Sequence, residues 1–418
     1  MKRSFNPVRG MFDYAPKEAL VRENVRSVIL NCYQNNGYNL IETPIVESLD
    51  FLESSDGGDN LKLIYKILKR GDKLDLTKEN LSVEDISEEG LRYDLTVPLA
   101  RFYAGNREKL PTPFKSIQIG NSFRAERPQK GRNRQFVQCD IDVFGDKTIF
   151  AELDLLSTSL EALEKLGFKN LSVKINDRRI LNGIIIFAGF NEQDISTICV
   201  TLDKLDKIGI TGVIMELCEK GFEAEKINRL TEIVNDILAR GTSCLTQYGV
   251  EEEIVKNVEF LIENLNKTTI NKQKIYFDIT IVRGQGYYTG TVFEIFAEDF
   301  GRAMAGGGRY DKMLTKFAGL DVPAVGFSLG YEPICMLIQE RDENTEGKNL
   351  ALIFGKDDDI NEVYKIKNQL KSKYNVSLFL EPKNMKTFYE KIVAVADFAT
   401  SVRDFKENKP IKIMNNEK

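Results

Sequence analysis

Between Phe123 and Phe136 the chain reads FRAERPQKGRNRQF, five guanidinium or ammonium groups against the single carboxylate of Glu126. Fixed positive charge this dense, in a chain of formal net charge −5, suits an anionic ligand. Two apolar, strand-like segments flank the run, FKSIQIG and FVQCDIDVFG, so the cations belong to the connection of a hairpin and not to a tail. A second arginine, Arg283, stands in the glycine-punctuated stretch IVRGQGYYTG. Histidine is absent throughout, which removes imidazole as general base, nucleophile partner or metal ligand. The chemistry must run on arginine, carboxylates, tyrosine or the substrate's own groups.

Other residues add to this set. Asp142 lies inside the apolar IDVFG and requires a polar partner there. The glycines of AGGGRYD either let backbone approach a ligand closely or form a tight hairpin. Tyr288 and Tyr310, taken singly, fit ordinary strand packing, and Arg283, taken singly, fits an ion pair beside a turn. Cysteines at 32, 139, 199, 218, 244 and 335 show no short paired spacing, so buried free thiols are expected in place of a zinc or redox site.

The elements that must position these residues follow from periodicity. Ala19, Val21, Val25, Val28, Ile29 and Cys32 recur at helical spacing, NNGYN stops that helix, and LIETPIVES follows as a strand carrying Pro44. LRYDLTVPLARFYA reads as a strand running into a helix. From about 178 to 270 helical patterns dominate, as in AEKINRLTEIVNDIL and EEEIVKNVEFLIENLN, and strand character returns with IYFDITIV, YTGTVFEIFA and PAVGFSLG. ERDENTEGKN is a linker, beyond which strand and helix alternate as in a small α/β module with thirteen basic against ten acidic residues. The longest apolar runs, such as ILNGIIIFAGF, fall short of a membrane span, and the first ten residues carry no hydrophobic signal; a cytoplasmic protein with no membrane partner is expected.

Five segments in order resemble the histidyl-tRNA synthetase family of class II aminoacyl-tRNA synthetases. FRAERPQKGRNRQF with QCDIDVFG is similar to motif 2, IVRGQGYYTGTVFE and AGGGRYD to the two histidine motifs, LRYDLTVPLARFYA to the amino-group segment, and IETPIVES to the motif 1 strand. The resemblance implies an α+β fold: an antiparallel sheet flanked by helices, a helical insertion, and a small, shortened C-terminal α/β domain of the anticodon-binding kind. The expected boundaries are 1–175 and 272–338 for the catalytic core, 176–271 for the insertion and 349–418 for the C-terminal domain. It implies activation of L-histidine with ATP and magnesium ion and transfer to tRNA(His), by a homodimer.

The same resemblance implies roles. Arg124 would contact the α-phosphate and the substrate carboxylate, with Arg283 opposite it; Glu126 would meet the adenine amino group and Phe136 the ring. Asp94, Leu95 and Thr96, with Gln138, would hold the substrate ammonium, and Asp142, Tyr287, Tyr288 and Tyr310 the imidazole. Arg127, Lys130, Arg132 and Arg134 would form a mobile loop over ATP and the tRNA end, or simply solvated charge. In SLGYEPI, Pro333 stands where motif 3 has an arginine, so either another cation such as Arg309 or Arg302 would help neutralise the triphosphate or ATP use would be impaired, and Gly286 stands where an aspartate is common. A non-charging paralogue acting as regulatory subunit of ATP phosphoribosyltransferase, or a sensor of uncharged tRNA, fits the same departures. Arg124, Arg283 and the retained insertion favour the charging enzyme.

Overall fold

A computed structural model describes residues 5–53, 58–128, 133–268, 273–282, 288–298, 301–341 and 348–414. The chain divides into two compact units, one holding the residues up to Phe12 together with Val25–Ile334, the other holding Asp13–Asn24 and the residues from Cys335 onward.

The first unit is built on an eight-stranded sheet. Its strands run, in order across the sheet, Asn39–Leu40, Phe114–Phe123, Gln135–Phe144, Ala324–Gly330, Arg302–Arg309, Thr291–Ala297, Leu171–Asp177 and Lys274–Phe277. Neighbours are antiparallel except at the two edges, where the outer strands pair in parallel. The two ten-residue strands Phe114–Phe123 and Gln135–Phe144 form the expected hairpin, in register from Phe114 opposite Phe144 to Phe123 opposite Gln135. Leu155, Leu156, Leu160 and Leu163 of the Phe150–Lys165 helix are almost wholly buried, and each such side chain contributes about 1.5–3 kcal/mol by leaving water.

Five helices fill the span between the strands ending at Asp177 and beginning at Lys274: Arg178–Phe187, Ile195–Leu202, Leu205–Glu219, Ala224–Arg240 and Glu252–Thr268. In Ala224–Arg240 the buried side chains are Ile227, Leu230, Val234 and Ile237 with Ile233, the three-and-four spacing of a single apolar stripe. The second unit carries a four-stranded sheet in the order Asn375–Leu380, Asn349–Phe354, Phe398–Ser401, Lys412–Ile413, the first three parallel and the last antiparallel. Among the described residues no helix is long and apolar enough to cross a membrane.

Three local expectations change. LIETPIVES is not one strand: Asn39–Leu40 joins the large sheet, while Val46–Ser48 pairs with Ser87–Leu91 in a separate three-stranded sheet. The division falls around Pro44, which has no N–H to give to a ladder. The glycines of AGGGRYD form no hairpin; they lie inside the Arg302–Arg309 strand, where a Cβ on Gly307 would stand 2.0 Å from the Gly326 carbonyl oxygen of the adjacent strand. All six cysteines are free, but Cys218 is exposed.

Candidate active site

Alternation along the Gln135–Phe144 strand sends its side chains to two faces. Cys139, Ile141 and Val143 are buried in the core, whereas Phe136, Gln138, Asp140 and Asp142 line a cavity of about 680 Å³. The adjacent strand meets them with small residues, Gly330 opposite Gln138, Ser328 opposite Asp140 and Gly326 opposite Asp142, which leaves space above the sheet. Glu294, Met304 and Gly306 extend the lining, and Thr96, Arg124, Glu126, Tyr288 and Tyr310 close around it.

Asp94 precedes the Thr96–Asn106 helix. Its Oδ1 accepts the Val97 N–H at 3.1 Å, satisfying one of the donors a helix start leaves unpaired. Its Oδ2 is buried with no hydrogen-bond partner among the described residues, and so are Gln138 Oε1 and Asp142 Oδ2. A buried polar atom left unpaired costs about 1–3 kcal/mol, so three on one cavity mark a site completed by a guest that brings donors. The other oxygen of Asp142 accepts the hydroxyl of Tyr310.

Electrostatics point the same way. The described lining residues carry seven carboxylates and one guanidinium, that of Arg124. Burial lifts Asp94 to about 6, against the pull of a backbone hydrogen bond from Val97 and the charge of Arg124. Burial likewise lifts Asp140 to about 7 and, reinforced by neighbouring Asp140, raises Asp142 well above the usual carboxylate range. Arg124 donates from Nε to the Tyr93 carbonyl at 3.1 Å and holds its guanidinium 5.0 Å from the centre of the Phe136 ring. It therefore stands between the acidic end of the cavity and an aromatic face.

The sequence profile of the histidyl-tRNA synthetases matches residues 10–334. The chain belongs to the histidyl-tRNA synthetase family. A histidine–tRNA ligase of Leifsonia xyli subsp. xyli is 38% identical over 411 residues, 94% of each chain, and one of Christiangramia forsetii is 35% identical over 355 residues, 79% of this chain and 76% of the relative. The crystal structure of histidyl-tRNA synthetase from Nostoc sp. PCC 7120 superposes with a TM-score of 0.77 at 24% identity, covering 99% of this chain and 95% of that one. An ATP phosphoribosyltransferase regulatory subunit/histidyl-tRNA synthetase from Bacillus halodurans C gives 0.76 at 19% identity, covering 96% of this chain and 98% of that one, and shares the fold.

Of the residues expected at the site, Asp94, Thr96, Gln138, Asp142, Tyr288, Tyr310, Arg124, Glu126 and Phe136 line one cavity. Leu95 does not: its side chain is buried in the core and its carbonyl accepts from Gln118 Nε2. Arg309 is a correction. It lies outside the cavity lining, and its guanidinium is committed to Glu152 at 2.6 and 2.5 Å, to Asp311, and to the carbonyls of Asp146 and Thr148. A cation so fully spent on buried partners has nothing left for a triphosphate. Arg134 donates from Nε to the Glu126 carbonyl at 3.0 Å and from its backbone N–H to the Gly10 carbonyl. Arg283, Gly286, Tyr287, Lys130 and Arg132 lie outside the described residues, as does the side chain of Arg302.

Among the lining residues that sequence reasoning missed are Asp140, Ser328, Glu332, Asp203 and Glu294. Asp140 had a signal, because it alternates with Gln138 and Asp142. Glu332 accepts the Val137 N–H at 3.1 Å from a position 195 residues away, which no local pattern shows. Asp203 arrives from the helical span after Asp177, where nothing in the surrounding sequence marks it.

Proposed function

We propose that this chain, a histidine–tRNA ligase, activates L-histidine in the cavity above the Gln135–Phe144 strand. The carrying observation is that three buried acceptors with no hydrogen-bond partner among the described residues, Asp94 Oδ2, Gln138 Oε1 and Asp142 Oδ2, line one cavity together with Arg124. Histidine has donors for all three. Its α-ammonium goes to Asp94 and Gln138 with Thr96 alongside, and a ring N–H goes to Asp142, whose other oxygen Tyr310 already occupies. Tyr288 lines the imidazole end, joined in this reading by Tyr287. A wrong side chain leaves Asp142 buried and unpaired, which is a strong basis for rejection.

No general base is required. A carboxylate oxygen of histidine, already an anion, attacks the α-phosphorus of ATP; an O–P bond forms, the bond to pyrophosphate breaks, and pyrophosphate leaves. The enzyme must hold positive charge where the pentavalent phosphorus gathers negative charge. Arg124 stands at that junction, next to Asp94 through the Tyr93 carbonyl and over Phe136, on which the adenine stacks. Glu126 takes the adenine amino group, the family resemblance gives Arg283 a role at the same phosphate, and magnesium enters with the phosphates of ATP. A hydroxyl of the terminal adenosine of tRNA(His) then attacks the acyl carbon, its proton passing to a phosphate oxygen of the adenylate, and AMP leaves as the acyl–phosphate bond breaks.

The protein is read as a cytoplasmic homodimer. Leu40, Ile45 and Val46 flank Pro44 at 40, 42 and 40% exposure, apolar surface that a second copy would cover. Isotope exchange between ATP and pyrophosphate, run with each amino acid in turn, tests the reading. Exchange driven by histidine alone supports it, and a chain inert with histidine contradicts it in favour of a non-charging paralogue.

A further inference from the structure

Gln138 and Asp142 have places in the reading above; Asp140, between them on the same face of the strand, does not. Its carboxylate is 4% exposed and lines the cavity. Oδ1 accepts the hydroxyl of Ser328, the residue directly opposite it in the neighbouring strand. Oδ2 accepts Gln138 Nε2 at 3.2 Å. An ionised carboxylate only accepts hydrogen bonds, so it turns the nitrogen of a neighbouring amide toward itself and the oxygen away. The oxygen turned away is Gln138 Oε1, one of the buried acceptors that has no partner among the described residues.

We propose that Asp140, held by Ser328, is a positioning residue that locks the Gln138 amide with its oxygen presented to the substrate's α-ammonium. This rests on the cavity being the amino-acid site. With the amide reversed, an NH2 group would face the ammonium, donor against donor, and binding of the amine would be lost while the imidazole and nucleotide ends stayed intact. Asp140 needs no contact with substrate to do this. Its effect is confined to the one group that Gln138 Oε1 receives.

An Asp140→Asn variant makes the two amide orientations competitive, because asparagine can donate to Gln138 Oε1 as readily as accept from Nε2. Pyrophosphate exchange at pH 8, where the substrate amine is charged and its imidazole neutral, should show the KM for histidine raised at least about tenfold, with kcat and the KM for ATP held within about threefold, as expected when an interaction made equally in ground and transition states is lost. Inhibition by 3-(imidazol-4-yl)propanoate, which lacks the amine, should stay within about twofold of wild type, because only the amine is read through Gln138. Ser328→Ala should shift the histidine KM the same way by a smaller factor, and it decides the matter by the same split if Asp140→Asn does not fold. Loss spread evenly over histidine, ATP and the deaminated inhibitor, or a histidine KM left at the wild-type value, overturns the positioning role alone. Wild-type protein without histidine-driven exchange overturns the amino-acid site itself.

Discussion

Gly326 and Asp142 face each other across two paired strands so closely that a Cβ on residue 326 would stand 2.0 Å from Asp142 Oδ1. The same Cβ would lie 3.0 Å from the Tyr310 ring, so the Asp142–Tyr310 pair exists because residue 326 has no side chain. Gly326→Ala must push Asp142 off its position. The expected cost is one hydrogen bond to a charged or strongly polar group, roughly 1.5–3 kcal/mol, or about tenfold to a hundredfold in kcat/KM for histidine. Exchange kinetics check it, and a wild-type KM in a folded variant would show that Asp142 does not read the ring.

Arg309 and Glu152 form a buried bidentate pair, 8 and 1% exposed, with Thr291 Oγ1 donating to the same carboxylate. Breaking a buried pair by removing one partner strands the other charge, at a cost of about 3–5 kcal/mol. Arg309→Met or Glu152→Met alone should lower stability to urea by that amount, and the double variant should recover most of it. A single variant as stable as wild type would contradict the structural assignment and make Arg309 a candidate phosphate ligand again.

Asp140 gives a pH signature. Its folded-state value of about 7 lies above the ordinary carboxylate value because burial penalises the anion. The folded chain therefore holds a proton that the unfolded chain has released between about pH 4 and 7, so this group's contribution falls as pH rises and is fully lost above the folded value. Arg92, Arg124, Asp94 and the Ser328 hydroxyl are the groups acting on it. Measured by denaturant unfolding, the stability of Asp140→Asn relative to wild type should rise from pH 5 to pH 8, with a slope of about 1.4 kcal/mol per pH unit until the folded carboxyl has itself ionised. A difference that stays flat would place Asp140 in a wetter setting than the cavity provides.

The contrast between Asp142 and Arg309 shows what a sequence can carry. Three polar residues at every second position of QCDIDVFG announce a polar face on a half-buried strand, and that face is where the cavity lies. Their partners are not announced: Ser328 meets Asp140 across 188 residues, and Glu152 meets Arg309 across 157. An arginine beside glycines reads equally as a phosphate ligand and as half of an ion pair until the other half is found. The strand around Pro44 divides for a reason that is local, the missing N–H, but where the second half goes depends on Ser87–Leu91, far along the chain.

Pro333 lines the cavity in the first turn of the Tyr331–Arg341 helix, a place where proline costs the helix little. It leaves Arg124 as the one cation among the described lining residues. Pro333→Arg should therefore tighten ATP, lowering its KM several-fold, with the KM for histidine unchanged. Exchange measured over a range of ATP concentrations checks this. An unchanged or raised KM for ATP would mean the triphosphate does not extend toward residue 333.

Histidine-driven pyrophosphate exchange in Asp142→Asn, set beside wild type, bears most directly on the recognition of the imidazole. The acceptor becomes an amide whose NH2 opposes the ring N–H, so kcat/KM for histidine should fall at least about a hundredfold while the KM for ATP stays within about threefold. Equal kcat/KM for histidine in the two proteins would contradict the assignment of this cavity.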